Sequence, residues 1–140
     1  MTKIDFYLVE GDETHFACRL ISQIYRKGHQ IYVHTHNHDQ SKKLDERLWN
    51  FSKDSFIPHS LCDHEKDTPV KIGHGDNSPN HQDVLVNLSR NIPEFFSRFD
   101  RVAEVVPHIK TDRDSARESY SFYKERGYLI DYHEMGRKER

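Results

Sequence analysis

VVPHIKTDRDSARESYSFYKERGY, residues 105–128, reads as the end of a buried strand, a short turn and a helix marked at both ends. Ser115 and Glu118 fit an S-x-x-E capping box, in which two side chains satisfy backbone N–H groups that a helix start leaves open. Gly127 stands where a helix of this length needs a residue tolerant of positive φ. Positions 113, 117, 120 and 124 are spaced four, three and four, so they share one helix face. They are Arg113, Arg117, Tyr120 and Lys124. Three cations and a ring on one stripe fit either a solvated surface or a receptor for an acidic ligand with an apolar tip. Arg113 and Arg117 repel at i, i+4, as do Asp114 and Glu118, at about 0.2–0.5 kcal/mol for each pair. A face selected only for helix stability would more often alternate signs, and this weighs against plain surface.

Working outward from this strand–helix unit, the same alternation recurs. Ile4 to Val9 is a short apolar run with β-branched and aromatic residues, the composition of a buried strand. Residues 16, 17, 20, 21 and 24 repeat at helical spacing, and Gly28 follows as a stop. Gln30–His34 reads as a second strand, and Asp39–Phe51 as a helix with Leu44, Leu48 and Phe51 on one side. SFIPHSL, residues 55–61, is an edge strand or a loop because Pro58 cannot donate to a ladder. PVKIG, residues 69–73, fits a short strand inside a polar stretch, and DVLVNL, residues 83–88, a central one. Pro93–Phe99 is expected to be a short helix turning Phe95, Phe96 and Phe99 inward, and RVAEVV, residues 101–106, the last strand. Strands alternating with helices predict an α/β layered domain with a mostly parallel sheet. One such domain over residues 1–130 accounts for the chain, with residues 131–140, ending in GRKER, expected as a charged, mobile tail.

Composition narrows the function classes. Charged residues make up 31% of the 140, apolar ones 34%, and the net charge is −2. A near-neutral chain lacks the positive field that broad nucleic-acid binding requires. No run approaches the roughly 20 apolar residues that span a bilayer, and the N-terminus has no apolar signal region. Cys18 and Cys62 form no C-x-x-C pair, consistent with a reducing cytoplasm. Cys18, inside an apolar helix face, reads as a packed thiol. His34, His36 and His38 could meet a metal if they stood on one side of a strand, but they also fit a polar loop at a strand end, and no metal is expected. There is no G-x-G-x-x-G, no P-loop and no G-x-S-x-G. A binding or assembly subunit is therefore preferred to an enzyme. Trp49, Phe51 and Phe56 form an aromatic group that is either a satellite of the core or a protein-binding surface.

FYLVEGD, GHQIYVHT, LDERLWNFSKDSFIPHSL, DVLVNLSRNIPEFFSRF with the following VVP, and SARESYSFYKERGY occur in order with characteristic spacing. Together they resemble the chi subunit of bacterial DNA polymerase III over most of the chain. The resemblance implies a Rossmann-like three-layer fold with no bound nucleotide and no cofactor. It implies a non-catalytic accessory subunit in the bacterial cytoplasm, at the replisome. Its implied partners are the psi subunit of the clamp loader and the acidic C-terminal tail of single-stranded DNA-binding protein, with nucleic acid reached only indirectly. It also leaves room for a helicase competing for the psi face. Carried over residue by residue, Arg113 and Arg117 would meet the tail carboxylates, and Val106 and Tyr120 would seat its terminal ring. Trp49 and Phe56 would contact psi. Where the family often has a basic residue after the tyrosine, this chain has Ser121, with Lys124 one turn on. The His- and Asp-rich segment 62–82 departs from the small-residue, basic loop expected. The alternatives are a small α/β hydrolase or nucleotide-binding enzyme working from loops at the strand ends, and direct binding of single-stranded DNA by the basic helix.

Overall fold

The computed structural model describes residues 2–51, 57–61, 68–75 and 81–135. In chain order the elements are β1 (Lys3–Val9), α1 (Glu13–Arg26), β2 (Ile31–Thr35), α2 (His38–Asn50), β3 (His59–Leu61), β4 (Val70–His74), β5 (Val84–Asn87), a 3₁₀ turn (Phe96–Arg98), β6 (Arg101–Pro107), α3 (Lys110–Glu125) and β7 (Ile130–Met135). The strands form one sheet in the order β3-β4-β2-β5-β6-β1-β7. All six pairings are parallel. Helices α1 and α2 cover one face; α3 and the 3₁₀ turn cover the other, which gives the three expected layers.

Each helix starts and stops for a local reason. Asp12 caps α1 by accepting from the Thr14 and His15 amides at 3.0 and 3.2 Å. Asn37 caps α2 by accepting from Gln40 N at 2.9 Å. The start of α3 differs from the sequence expectation. The helix opens at Lys110, its N-cap Ile109 offers no side-chain bond, and the Arg113 amide already donates to Ile109 O at 2.9 Å. Ser115 and Glu118 therefore lie inside the helix and do not form a capping box. Strand β6 ends at Pro107, so the chain has turned back onto the sheet before Ser115 is reached. Asp112, in the first turn, takes over the electrostatic role of a cap. Its Oδ1 also accepts from Arg90 Nε at 2.6 Å, which ties the turn to the loop after β5. The C-terminus behaves as expected: Gly127 has φ 82°, its amide donates to Lys124 O, and Tyr128 N donates to Tyr123 O.

Two further differences concern chain ends and turns. Asp131–Met135, expected in a mobile tail, belong to β7, in unbroken parallel register with β1 from Ile4↔Ile130 to Val9↔Met135. The charged residues of IDYHEM hide the strand because they sit at a sheet margin, where Asp131 and His133 pair with residues of β1. Lys3 Nζ meets Asp131 at 2.8 Å, His133 Nε2 meets Asp5 at 3.2 Å, and the His133 ring stacks on Tyr7 with centroids 4.7 Å apart. Residues 136–140 lie outside the described residues. The expected helix over Pro93–Phe99 contracts to the 3₁₀ turn, although Phe95, Phe96 and Phe99 are buried as anticipated.

Alternation along the strands sorts the core. Ile31, Val33, Val84, Val86 and Val105 face α1 and α2, whereas Ile4, Phe6, Tyr32, Leu85, Val102 and Val106 face α3. On the α3 side the apolar packing encloses a polar knot. Glu104 of β6 accepts from Tyr123 OH of α3 at 2.6 Å and from Asn87 Nδ2 of β5 at 3.0 Å. Asn87 Oδ1 in turn accepts from the Ser89 amide and hydroxyl. Burial pushes the Glu104 carboxyl up to about 7, against the two hydrogen bonds that favour its charged form. The knot fixes α3 against the sheet through directional bonds, where an apolar contact alone would let it slide.

Candidate functional site

Between α3 and the C-terminal halves of β1, β6 and β7 lies a cavity of about 420 Å³. Its walls include Phe6 and Leu8 from β1, Val106 from β6, His108 from the following turn, Arg113, Ala116, Arg117 and Tyr120 from α3, and Tyr132 and Glu134 from β7. Tyr120 leans on Phe6 with ring centroids 5.7 Å apart, which makes an aromatic floor. Val106 and Leu8 continue that floor. The arginines stand at its rim. Arg113 Nε is buried and meets no hydrogen-bond acceptor among the described residues. Arg117 is far more open, at 79% of its side chain, and makes a long 3.7 Å contact to Asp114 one turn back. The cations act on their surroundings. Burial and Glu134 raise the Tyr132 phenol above its ordinary range, while Arg113 and Arg117 pull against that shift.

Four of the five residues singled out on the α3 side therefore converge on one cavity: Val106, Arg113, Arg117 and Tyr120. The fifth, Lys124, does not line it. Its ammonium sits over the Tyr120 ring, 5.9 Å from the centroid. Ser121 points away with Glu118, Phe122 and Glu125, outside this cavity. The missing charge at position 121 therefore falls beside the cavity and not within it. Phe6, Leu8, Tyr132 and Glu134 carry no local signal in the sequence, because they reach the site through β1–β7 pairing over more than 100 residues.

The second candidate surface lies at the opposite margin of the sheet. Trp49, near the end of α2, is 53% exposed, while its neighbour Leu48 is buried. The indole packs on the His59 ring of β3 at 4.5 Å. His59 is held by Ile57 O at 2.6 Å and by Asp45. Phe51 turns to His15 of α1 at 5.6 Å, so it is drawn to a different neighbour from Trp49. Phe56 lies outside the described residues, as does Cys62.

With both surfaces placed, likeness to known proteins assigns the chain. The family model of the DNA polymerase III chi subunit, HolC, matches residues 1–131. The chain belongs to the DNA polymerase III chi subunit family. It is 39% identical over 141 residues to the DNA polymerase III subunit chi of Pseudomonas aeruginosa, with 98% of this chain and 99% of that one covered. It is 29% identical to the subunit chi of Haemophilus influenzae, over 94% and 96% of the two chains. It is 27% identical to that of Escherichia coli, over 94% and 97%. The chain is thus a subunit of the replicative polymerase complex and not its catalytic one.

β2 ends at Thr35, so His36 and His38 do not alternate with His34 on a strand. His38 opens α2 and its ring lies 5.9 Å from His74, whereas His34 packs toward Phe95. Among the described residues no three His, Cys, Asp or Glu side chains come together as a metal site. Cys18 is buried and burial pushes its thiol up to about 11, the condition of a packing residue rather than a nucleophile. No described helix is long and apolar enough to cross a membrane.

Proposed function

We propose that this chi-family chain is an adaptor with two separate docking surfaces. The α3 cavity takes the acidic, aromatic-ended C-terminal tail of single-stranded DNA-binding protein. The Trp49 margin meets the psi subunit of the clamp loader. The observation that carries the tail reading is the convergence of Val106, Arg113, Arg117 and Tyr120 on one cavity. Its floor is apolar and aromatic, and burying a phenylalanine-sized side chain there contributes roughly 1.5–3 kcal/mol. Its rim carries guanidinium groups, which can bind carboxylates bidentately. The buried Arg113 Nε supports the reading because a desolvated donor gains most from an acceptor delivered by the ligand.

Titration calorimetry with a synthetic tail peptide tests this. Arg113→Ala is expected to weaken binding by about 1.5–3 kcal/mol, the range for hydrogen bonds to charged groups. Wild-type affinity is expected to fall as salt rises from about 0.05 to 0.3 M, since rim charges are screened. An unchanged affinity in the Arg113 variant would refute the tail site. Exposure and an aromatic anchor on a rigid imidazole support the psi reading of Trp49. Its test is co-purification of psi with Trp49→Ala.

A further inference from the structure

We propose that an acidic peptide seated in the α3 cavity also pairs through its backbone with the free margin of β7, adding an eighth strand to the sheet. This rests on the reading of the cavity as a tail site.

β7 is the last strand of the sheet, and among the described residues nothing pairs with its outer side. Its backbone register can be read from the ladder. Ile4 stands opposite Ile130, and Ile4 N donates to Leu129 O at 3.0 Å. In a parallel ladder this makes residues 129, 131 and 133 turn their N–H and C=O groups to β1. Ile130, Tyr132 and Glu134 then present theirs outward. Strand alternation places those same three side chains on the α3 face, where Tyr132 and Glu134 line the cavity. One set of residues therefore offers open backbone groups on one side and cavity wall on another. A peptide entering the cavity across this margin meets both.

The margin is long enough to use. It runs six residues in unbroken register, without a proline or a bulge. Charges on an edge strand discourage apolar strands from adding non-specifically. Here they favour one class of partner. Asp131 points to the other face and is neutralised by Lys3 at 2.8 Å. Arg113 and Arg117 stand across the cavity from Tyr132 and Glu134, so the field that a bound strand meets is set by guanidinium groups on one flank and a single carboxylate on the other. A segment carrying several carboxylates gains more from the two cations than it loses to Glu134. Main-chain pairing of this kind supplies affinity while pockets select side chains.

The test uses the full chain and a short synthetic peptide of aspartates ending in a phenylalanine carboxylate. Amide exchange is followed by NMR with and without saturating peptide. Exchange at Ile130, Tyr132 and Glu134 is expected to slow by about tenfold or more, roughly one net hydrogen bond each, while Asp131 and His133 stay as they were. N-methylation of alternate peptide amides is expected to weaken binding about tenfold, and methylation of the intervening ones to be tolerated. On the protein, Glu134→Pro removes an outward N–H that an edge strand can spare. It should bind more weakly than Glu134→Ala, with melting temperature controlling for folding. If the peptide binds and responds to Arg113→Ala, yet the three amides exchange unchanged, edge pairing is wrong and the cavity reading stands. If the peptide does not bind, both are wrong. If the three amides are already slow in peptide-free protein of dimeric mass, a second copy occupies the margin and the proposal is overturned.

Discussion

At one margin of the sheet, β3 offers three residues directly behind Pro58; at the other, β7 offers six with no proline. Helix α2 flanks the first on one face and α3 flanks the second on the opposite face. The seven strands between them span about 29 Å at the usual spacing of about 4.8 Å. The β3 margin is short and carries its recognition element as a side chain, the Trp49 indole on His59. The β7 margin carries a cavity, two arginines and a backbone edge with no strand partner among the described residues. A blunted edge suits a partner that packs against side chains. An open edge beside a cavity suits an extended segment. Placing the two at opposite ends and faces would let two partners bind without steric conflict, as the proposed adaptor role requires.

What holds the two margins also differs, and Glu104 is where that contrast can be disturbed most. The carboxyl is buried and raised to about 7, so between about pH 4.5 and 7 the native state binds a proton that the unfolded chain has released. This contribution is fully present below the unfolded value and is lost as pH rises through the folded one. Its size is on the order of 3 kcal/mol over that window. Glu104→Gln removes the titration. Denaturant unfolding of wild type and variant at pH 5 and pH 8 should therefore show the difference shifting in favour of the variant at the higher pH. Amide exchange should locate that shift in α3 and β6, with α2 and β3 following only the global change. An identical pH dependence in both proteins would show that the knot does not carry the charge change.

The next effects separate the margins by their ligands. Arg113→Ala is expected to cost tail binding about 1.5–3 kcal/mol and to leave psi co-purification intact. Arg117→Ala should cost less, about 0.2–1 kcal/mol, because the side chain is mostly exposed. Trp49→Ala should do the reverse of Arg113→Ala: about 2 kcal/mol of psi binding lost, the size of a hot spot, with tail affinity unchanged by calorimetry. Coupled losses would mean that the margins are not independent.

The stripe Arg113, Arg117, Tyr120 was legible in the sequence because it depends on helical spacing alone, which local periodicity reports. Val106 became part of it only through the family resemblance. The rest of the cavity was not legible. Phe6 meets Tyr120 across 114 positions of sequence, and Tyr132 enters because β7 returns beside β1. β7 itself looked like a tail because Asp131, His133 and Glu134 give it no apolar run, and its pairing with Lys3 and Asp5 is tertiary. Asn87 and Glu104 lay in apolar strands as isolated polar residues. Nothing local says that they face each other and Tyr123 rather than solvent. The false capping box had the opposite cause: a local motif was present, but Pro107 ended β6 early enough for the helix to start without it.

Glu134, like Arg117, gives a small expected effect, and it bears most directly on how the proposed β7 margin would choose its partner. It is the only carboxylate among the described cavity walls, across from two guanidinium groups. If the cavity binds an acidic tail, that carboxylate opposes it. Glu134→Gln, which keeps shape and backbone, should then tighten tail binding by about 0.2–1 kcal/mol, the usual range for an exposed charge interaction. The gain should shrink as salt rises, because the repulsion removed is screened. The same substitution should leave psi binding at the Trp49 margin untouched, some six strands away. Weaker binding of the tail would mean instead that Glu134 orients the arginines, holding them in place for the incoming carboxylates. The sign of this small change distinguishes a carboxylate that filters ligands from one that prepares the site.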